Sequence, residues 1–360
     1  MEIKKIKTTK EYLSFIKKLY KKDKFYKDNK SEIINMICNK KSPFYRNTFQ
    51  EMTAIVIGNE VKCQTVFIQH KNSPETLMLA FFEAEKEAKK EVEFLINYAK
   101  SKAIELGCKK ILVAMNGHCN YGLGILTNNF NNFPNFGEAY NSDYYKDFFQ
   151  NNFKIYKFHN YKNSLAKVGE KISKFTKRLS LQNIDFKYYD AFCPDFDNAI
   201  KIYNDLNNTI FKEHLYYFKR ELDEDKELFY SMKPLLLNKN LIIAYKNNIP
   251  IAFLLWYPDY NELVNSQKHL SLFALLKYKL FNKKPKQIML TEIGVLPDYE
   301  NTGLAISLFL NLHDYLYKQY DKNTIVCSGW IFDKNLKSKN LVQHILEKTD
   351  KEFCIYELSI

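Results

Sequence analysis

No two cysteines of this chain stand in a Cys-x-x-Cys pair, although it has seven of them, at positions 38, 63, 108, 119, 193, 327 and 354. An odd, scattered set reads as reduced thiols, with neither a disulfide framework nor a thiolate metal site. The seven histidines are equally dispersed and no His-Glu-x-x-His occurs, so zinc-ligand spacing is missing and no metal is expected. Also missing is Gly-x-x-x-x-Gly-Lys-Ser/Thr, whose amides and lysine cradle nucleotide phosphates, as is the Gly-x-Ser-x-Gly elbow of serine hydrolases. "GLGIL" (122–126) has two glycines but follows a polar loop and leads into "TNNFNNFPNF". It lacks the strand and long helix of a dinucleotide site. No stretch reaches the ~18 apolar residues of a membrane span. The start, "MEIKKIKTTKEYLSF", is charged where a signal peptide needs an apolar run. A cytoplasmic protein with no stable membrane insertion is the expectation.

What is present is ample apolar material. With 360 residues and 46% hydrophobic composition, the chain can bury two cores. A net charge of +13 ordinarily points to nucleic acid, but the lysines are scattered rather than clustered. A solvated basic surface without a nucleic-acid partner is the simpler reading.

Apolar periodicity then shows a repeated grammar. Residues 52–70 read as a strand pair around Gly58-Asn59, and 75–85 as a third, antiparallel strand. Residues 89–107 place Val92, Leu95, Ile96, Ala99, Ala103 and Leu106 on one helical face and stop at Gly107. Residues 109–116 return as a buried strand. The second half has a strand at 184–190, helices at 196–208 and 223–237, and a strand pair over 240–259 that turns at Asn247-Asn248. A strand over 286–298, a helix over 303–320, a strand over 323–333, a helix near 337–347 and a last strand at 352–360 complete it. Both halves read as strand hairpin, strand, helix, strand. The fold class is therefore α/β with a mixed sheet in two tandem domains, 1–165 and 166–360, joined through the charged, helical segment 162–180. The insertion at 268–286 mixes apolar residues with lysines, as an amphipathic helix does. It reads as a lid, a packing element or a surface-binding helix.

One stretch carries chemistry: "EIGVLPDYENTGLAISLFLNLHDYL" (292–316). Pro297 cannot donate to a ladder, so pairing stops there and the strand end can splay. The following helix begins near Gly303, which would let an anion approach the free amides at its positive end. Equally, Thr302 can be an ordinary N-cap and Gly303 a packing residue.

This stretch resembles the acyl-coenzyme A binding segment of the GNAT superfamily of N-acyltransferases, in which a V-x-P strand end precedes an R/Q-x-x-G-x-G/A loop that cradles pyrophosphate. Residues 39–47, 122–136, 140–153, 232–263 and 328–342 are similar to segments of one bacterial branch of that superfamily, so the likeness spans nearly the whole chain. It implies two tandem GNAT-like domains that use acetyl-CoA or another acyl-CoA as co-substrate. The acceptor is then a small-molecule or peptide amine, and the chain a monomer or homodimer. Coenzyme contacts fall on Ile293, Gly294, Val295, Asn301, Thr302, Gly303, Leu304, Ala305, Asn335 and Ser338, and the strand carboxylate Glu292 is the candidate base. Trp256, Tyr257, Tyr260, Tyr140 and Tyr144, with Tyr145, are candidate acceptor-site walls, with core packing as the other reading.

Two departures stand out. Glu300 occupies the position of Arg or Gln in the loop pattern and brings negative charge toward a pyrophosphate. Val342 and His344 lie where the family places a tyrosine acid. In the first half the equivalent helix start, "KEAKKEVEFL", is acidic and has no glycine. Coenzyme is therefore expected in the C-terminal half, and a non-catalytic protein that binds coenzyme A or a partner is the alternative.

Overall fold

The computed structural model describes residues 1–150, 152–176, 183–265, 268, 270–281 and 284–360. Part of the predicted joining segment (177–180), with residues 181 and 182 after it, and parts of the insertion (269, 282 and 283) lie outside the described residues. The chain divides into two compact units. One comprises Met1–Phe158, residues 264, 265 and 268, and Lys351–Ile360; the other comprises His159–Leu263 and Leu270–Asp350.

The first unit contains β1 (Glu2–Lys5), α1 (Thr9–Leu19), α2 (Ser31–Ile37), α3 (Pro43–Arg46), β2 (Thr48–Ile57), β3 (Glu60–His70), β4 (Thr76–Ala84), α4 (Lys89–Glu105), β5 (Lys110–Val113) and the short β6 (Ile125–Leu126). It also takes the first part of β7 (Lys154–Ser164). The second unit takes the rest of β7, then α5 (Leu165–Thr176), β8 (Ile184–Tyr189), α6 (Phe196–Ile210), α7 (Leu222–Ser231), β9 (Leu241–Lys246), β10 (Ile249–Pro258) and α8 (Leu272–Phe281). It continues through β11 (Gln287–Val295), α9 (Leu304–Tyr317), β12 (Ile325–Ser328), β13 (Ile331–Phe332) and α10 (Leu336–Leu346) into the start of β14 (Lys348–Ser359).

The two sheets share one plan. Strand order is β1-β2-β3-β4-β5-β14 in the first unit and β8-β9-β10-β11-β12-β7 in the second. Each is antiparallel except at one pair, β4 with β5 and β11 with β12. That parallel pair is the one joined through a helix, α4 or α9, as a crossover connection requires. The sixth strand has a different origin in each unit. Residues 356–359, at the end of the chain, pair with β5, whereas β7 pairs with β12.

Local chemistry explains the elements. Asn247 and Asn248 have φ of 50° and 64°, and they join Lys246 to Ile249 as a two-residue turn. Both central residues of such a turn need the left-handed region that asparagine tolerates. Val92, Leu95, Ile96, Ala99 and Ala103 of α4 are buried on one face, and Gly107 follows in the left-handed region at φ 69°. The expected helix at 223–237 is shorter, because α7 ends at Ser231 ahead of Pro234. The strand expected over 323–333 is interrupted at Gly329 into β12 and β13. In the second unit, alternation decides the two cores. Leu241, Ile243, Phe253 and Leu255 pack with α6 and α7, while Ile242, Ala244, Leu254 and Trp256 pack with α5, α9 and α10.

Candidate active site

β11 leaves its parallel partner early. Its pairing with β12 ends at Leu290 and Ser328, and Gly329 N–H reaches back to Leu290 O at 2.7 Å. On its other side β11 stays on β10 as far as Val295, and Leu296 N–H donates to Ile251 O. A register shift between Leu255 and Trp256 accommodates one extra residue, Thr291. Because successive residues of a strand alternate in direction, Ile293 and Val295 turn their backbone groups to the β12 side, past the last β12 pair. Thr291 Oγ1 lies at this point of divergence, buried and without a hydrogen-bond partner among the described residues.

The side chain of Glu292 and the Cα of Gly294 face α6. Glu292 Oε2 accepts hydrogen bonds from the Tyr203 hydroxyl at 2.6 Å and from Asn207 Nδ2 at 2.9 Å. Both donors lie on the buried face of α6, one turn apart. Behind them Arg220 makes a buried ion pair with Asp225, which also accepts from Asn204 Nδ2 at 2.7 Å. Arg220 stacks its guanidinium over the Tyr203 ring at 5.7 Å. Burial pushes the Glu292 carboxyl above its ordinary value, and the Arg220 charge and the Tyr203 and Asn207 bonds only partly oppose that. Gly294 is where α6 closes onto the strand. A Cβ there would sit 2.7 Å from Phe253 Cε1 and 3.0 Å from Ile210 Cδ1.

After Pro297 the chain makes a short 3₁₀ turn and enters α9 through Asn301 (φ 60°) and Gly303 (φ 87°). Gly303 is the N-cap, in a conformation that costs any residue with a Cβ. Thr302 does not cap the helix. Its hydroxyl donates to Tyr299 O at 2.6 Å, and among the described residues the N-cap makes no side-chain hydrogen bond at the α9 N-terminus, where Leu304 and Ala305 begin. Glu300 pairs with Lys337, at the start of α10. Asn335 is the N-cap of α10, its Oδ1 accepting from Ser338 N–H at 3.2 Å. The structure thus brings Glu292 to Val295 together with the Asn301–Ala305 loop in one unit, along two faces of the same strand end.

The first unit repeats this strand end and fills it. Glu85 N–H donates to Lys62 O, as Leu296 N–H does to Ile251 O, so Ala84 occupies the place of Val295. There Ala84 N–H donates to the Tyr145 hydroxyl at 3.1 Å and Ala84 O accepts from the Tyr144 hydroxyl at 2.9 Å. Phe81 N–H donates to Asn116 Oδ1 at 2.8 Å. The strand edge is taken up by side chains from elsewhere in the unit, and α4, with Ala88 as its N-cap, has Glu91 in its first turn. A buried carboxylate persists here too. Glu83 accepts from Tyr20 at 2.8 Å and Tyr145 at 2.6 Å, and pairs with Lys30.

The other aromatic candidates are spoken for. Tyr140 donates its hydroxyl to Asp23 Oδ2 at 2.9 Å. Trp256 is fully buried with Nε1 on Lys239 O at 3.2 Å, Tyr260 donates to Leu235 O at 2.6 Å, and Tyr257 is buried. Sequence reasoning missed Tyr203, Asn207, Arg220 and Asp225. The α6 spacing of four between Tyr203 and Asn207 was legible; that this face meets Glu292 was not.

A mixed sheet whose central parallel pair diverges, with an uncapped helix at the divergence, defines the acyl-CoA N-acyltransferase fold. The particular form here is two GNAT folds in tandem. The chain is similar in structure to a tandem GNAT protein from the clavulanic acid biosynthesis pathway, with a TM-score of 0.55 at 9% identity, covering 99% of this chain and 98% of that one. It is similar to a GCN5-related N-acetyltransferase from Sphaerobacter thermophilus, with a TM-score of 0.52 at 8% identity, covering 99% and 95%. A third likeness is to a GCN5-related glucosamine N-acetyltransferase region of a fungal multi-domain β-N-acetylglucosaminidase, with a TM-score of 0.58 at 12% identity, covering 99% of this chain and 38% of that one. No protein-family profile and no curated protein matches the sequence. Among the described residues no helix is long and apolar enough to cross a membrane, and no cluster of side chains is arranged to hold a metal ion.

Proposed function

We propose that the second unit is an acyl-CoA dependent N-acyltransferase site whose acceptor is an amine. The observation that carries this reading is the strand end itself. Thr291–Val295 runs free of β12, presents the amides of Ile293 and Val295 there, buries an orphan Thr291 hydroxyl, and leads straight into an uncapped helix start. A buried polar atom without a partner is uncommon, and one at a cleft suits a ligand that completes it.

The group that fits is an acyl-CoA, which supplies an acyl thioester already activated for transfer. Asn301, Thr302, Gly303, Leu304 and Ala305 would hold its pyrophosphate on backbone amides at the positive end of α9. The Val295 N–H would hydrogen-bond a carbonyl oxygen beside β11 and stabilise negative charge developing on it. Glu292 takes the proton of the incoming ammonium. Its raised pKa makes it a better base near neutrality than an exposed carboxylate, and Tyr203 and Asn207 fix its orientation. Asn335 and Ser338, engaged with each other as the α10 cap, contribute to the site through the position of that helix.

Acetyl-CoA should therefore raise the melting temperature of the protein, by mass action on the native state. Gly303→Glu should abolish that shift, because it adds a strained backbone and a carboxylate where the phosphates belong. No shift in the wild type at millimolar ligand would remove the reading. A second reading, binding without turnover, is favoured by Val342 and His344 standing where a tyrosine acid is expected. Release of free thiol from acetyl-CoA in the presence of an amine library separates the two.

A further inference from the structure

The loop before α9 and the start of α10 are tied by one exposed ion pair, Glu300 with Lys337. The tie is odd on two counts. Lys337 is in the first turn of α10, the positive end of the helix dipole, where a cation is disfavoured. Glu300 is four residues ahead of Leu304, close in sequence to the uncapped α9 start, where a carboxylate competes with any anionic ligand. Each charge is badly placed for its own helix or its own loop, and each is compensated by the other. Neither α9 nor α10 has an acidic residue in its first turn.

We propose that Lys337 is a phosphate-binding residue of the acyl-CoA site, that Glu300 holds it in reserve, and that ligand binding exchanges the Glu300 carboxylate for a ligand phosphate. The proposal rests on the reading of the α9 start as a phosphate site and adds a residue that the loop pattern does not contain. The lysine side chain is 74% exposed and that of Glu300 38%, so the pair is held weakly, is screened by salt and is easily displaced by a multiply charged anion. Lysine suits this use, as a compact point charge on a flexible stem that can swing between two acceptors. On this view the acidic residue does not bar the ligand. It sets the affinity by competing for the same cation.

Isothermal titration of the full chain with coenzyme A, and with dephospho-coenzyme A, tests this in Glu300→Gln and Lys337→Gln variants at low and high salt. Glu300→Gln should bind coenzyme A roughly two- to fivefold tighter and Lys337→Gln weaker by a similar factor, the range an exposed charge pair spans. Both differences should shrink in high salt. If they persist with dephospho-coenzyme A the exchanged group is the pyrophosphate, and if they vanish it is the 3′-phosphate. Wild-type binding with an unchanged or weaker Glu300→Gln variant, or an unchanged Lys337→Gln variant, overturns the exchange and leaves the acyl-CoA reading intact. Absence of binding in every form overturns both.

Discussion

Replacing Glu292 separates its structural from its chemical work, because stability should distinguish Ala from Gln while activity should not. Its carboxylate takes two hydrogen bonds, from Tyr203 at 2.6 Å and Asn207 at 2.9 Å, and both donors sit on a buried helix face. Glu292→Ala leaves both without that acceptor. At about 1–3 kcal/mol for each buried donor that loses this acceptor, a loss of roughly 2–6 kcal/mol of stability follows. Glu292→Gln keeps an oxygen in place and should cost less than about 1 kcal/mol. The sign with pH is fixed by the raised carboxyl pKa. The folded state holds the proton more tightly than the unfolded chain, so this group penalises stability above its folded pKa, and the penalty is relieved as pH falls through it. The stability of Glu292→Gln relative to wild type should accordingly be greatest near neutrality and decline on acidification, measured by urea titration across pH 4.5–8. Activity should behave differently. As base, Glu292 is worth about 10²- to 10⁴-fold, so both variants should lose thiol release from acetyl-CoA to that extent. The wild-type rate should rise with pH through a pKa above 4.5. A stable Glu292→Gln variant that keeps the wild-type rate across the range would refute the assignment.

Two further substitutions test the surroundings. Asn116→Leu in the first unit strips the acceptor from Phe81 N–H and should cost about 1–3 kcal/mol, while the melting shift with acetyl-CoA stays that of wild type; loss of that shift would place coenzyme in the wrong unit. Asp225→Ala uncovers the buried Arg220 charge and should destabilise by about 3–5 kcal/mol in denaturant titration, far more than Lys337→Gln does at the surface. Equal losses would mean that the Arg220–Asp225 pair is effectively solvated.

Much of the fold was legible because period and turn chemistry act locally. Asn247-Asn248 announces its turn, Gly107 its helix end, and the apolar stripe of α4 its buried face. The helix starts read at 89, 196, 223 and 303 fall within a residue of those of α4, α6, α7 and α9, whereas α1, α2 and α3 had no counterpart in the sequence reading. What was hidden depends on contacts far apart in sequence. Nothing near residue 292 says that its carboxylate meets Tyr203 and Asn207, which lie 89 and 85 positions away. The tyrosines at 144 and 145 look equally suited to a cavity wall or a core from sequence. Their hydroxyl hydrogen bonds to Ala84, 60 and 61 positions away, reveal that they close the Ala84 edge. Glu300 is the clearest case. Alone in its loop it argues against a phosphate, and its meaning changes once Lys337, 37 positions on, is seen to pair with it.

In the proposed reading an acyl-CoA binds along the free edge of β11 and at the start of α9. Amide hydrogen exchange with and without acetyl-CoA tests it directly. Exchange should slow at Ile293 and Val295 and at the first amides of α9, Leu304 to Ile306, with the Ala84 edge of the first unit unchanged. Protection at the Ala84 edge, or binding that leaves the 293–306 segment exchanging at its free rate, would contradict it.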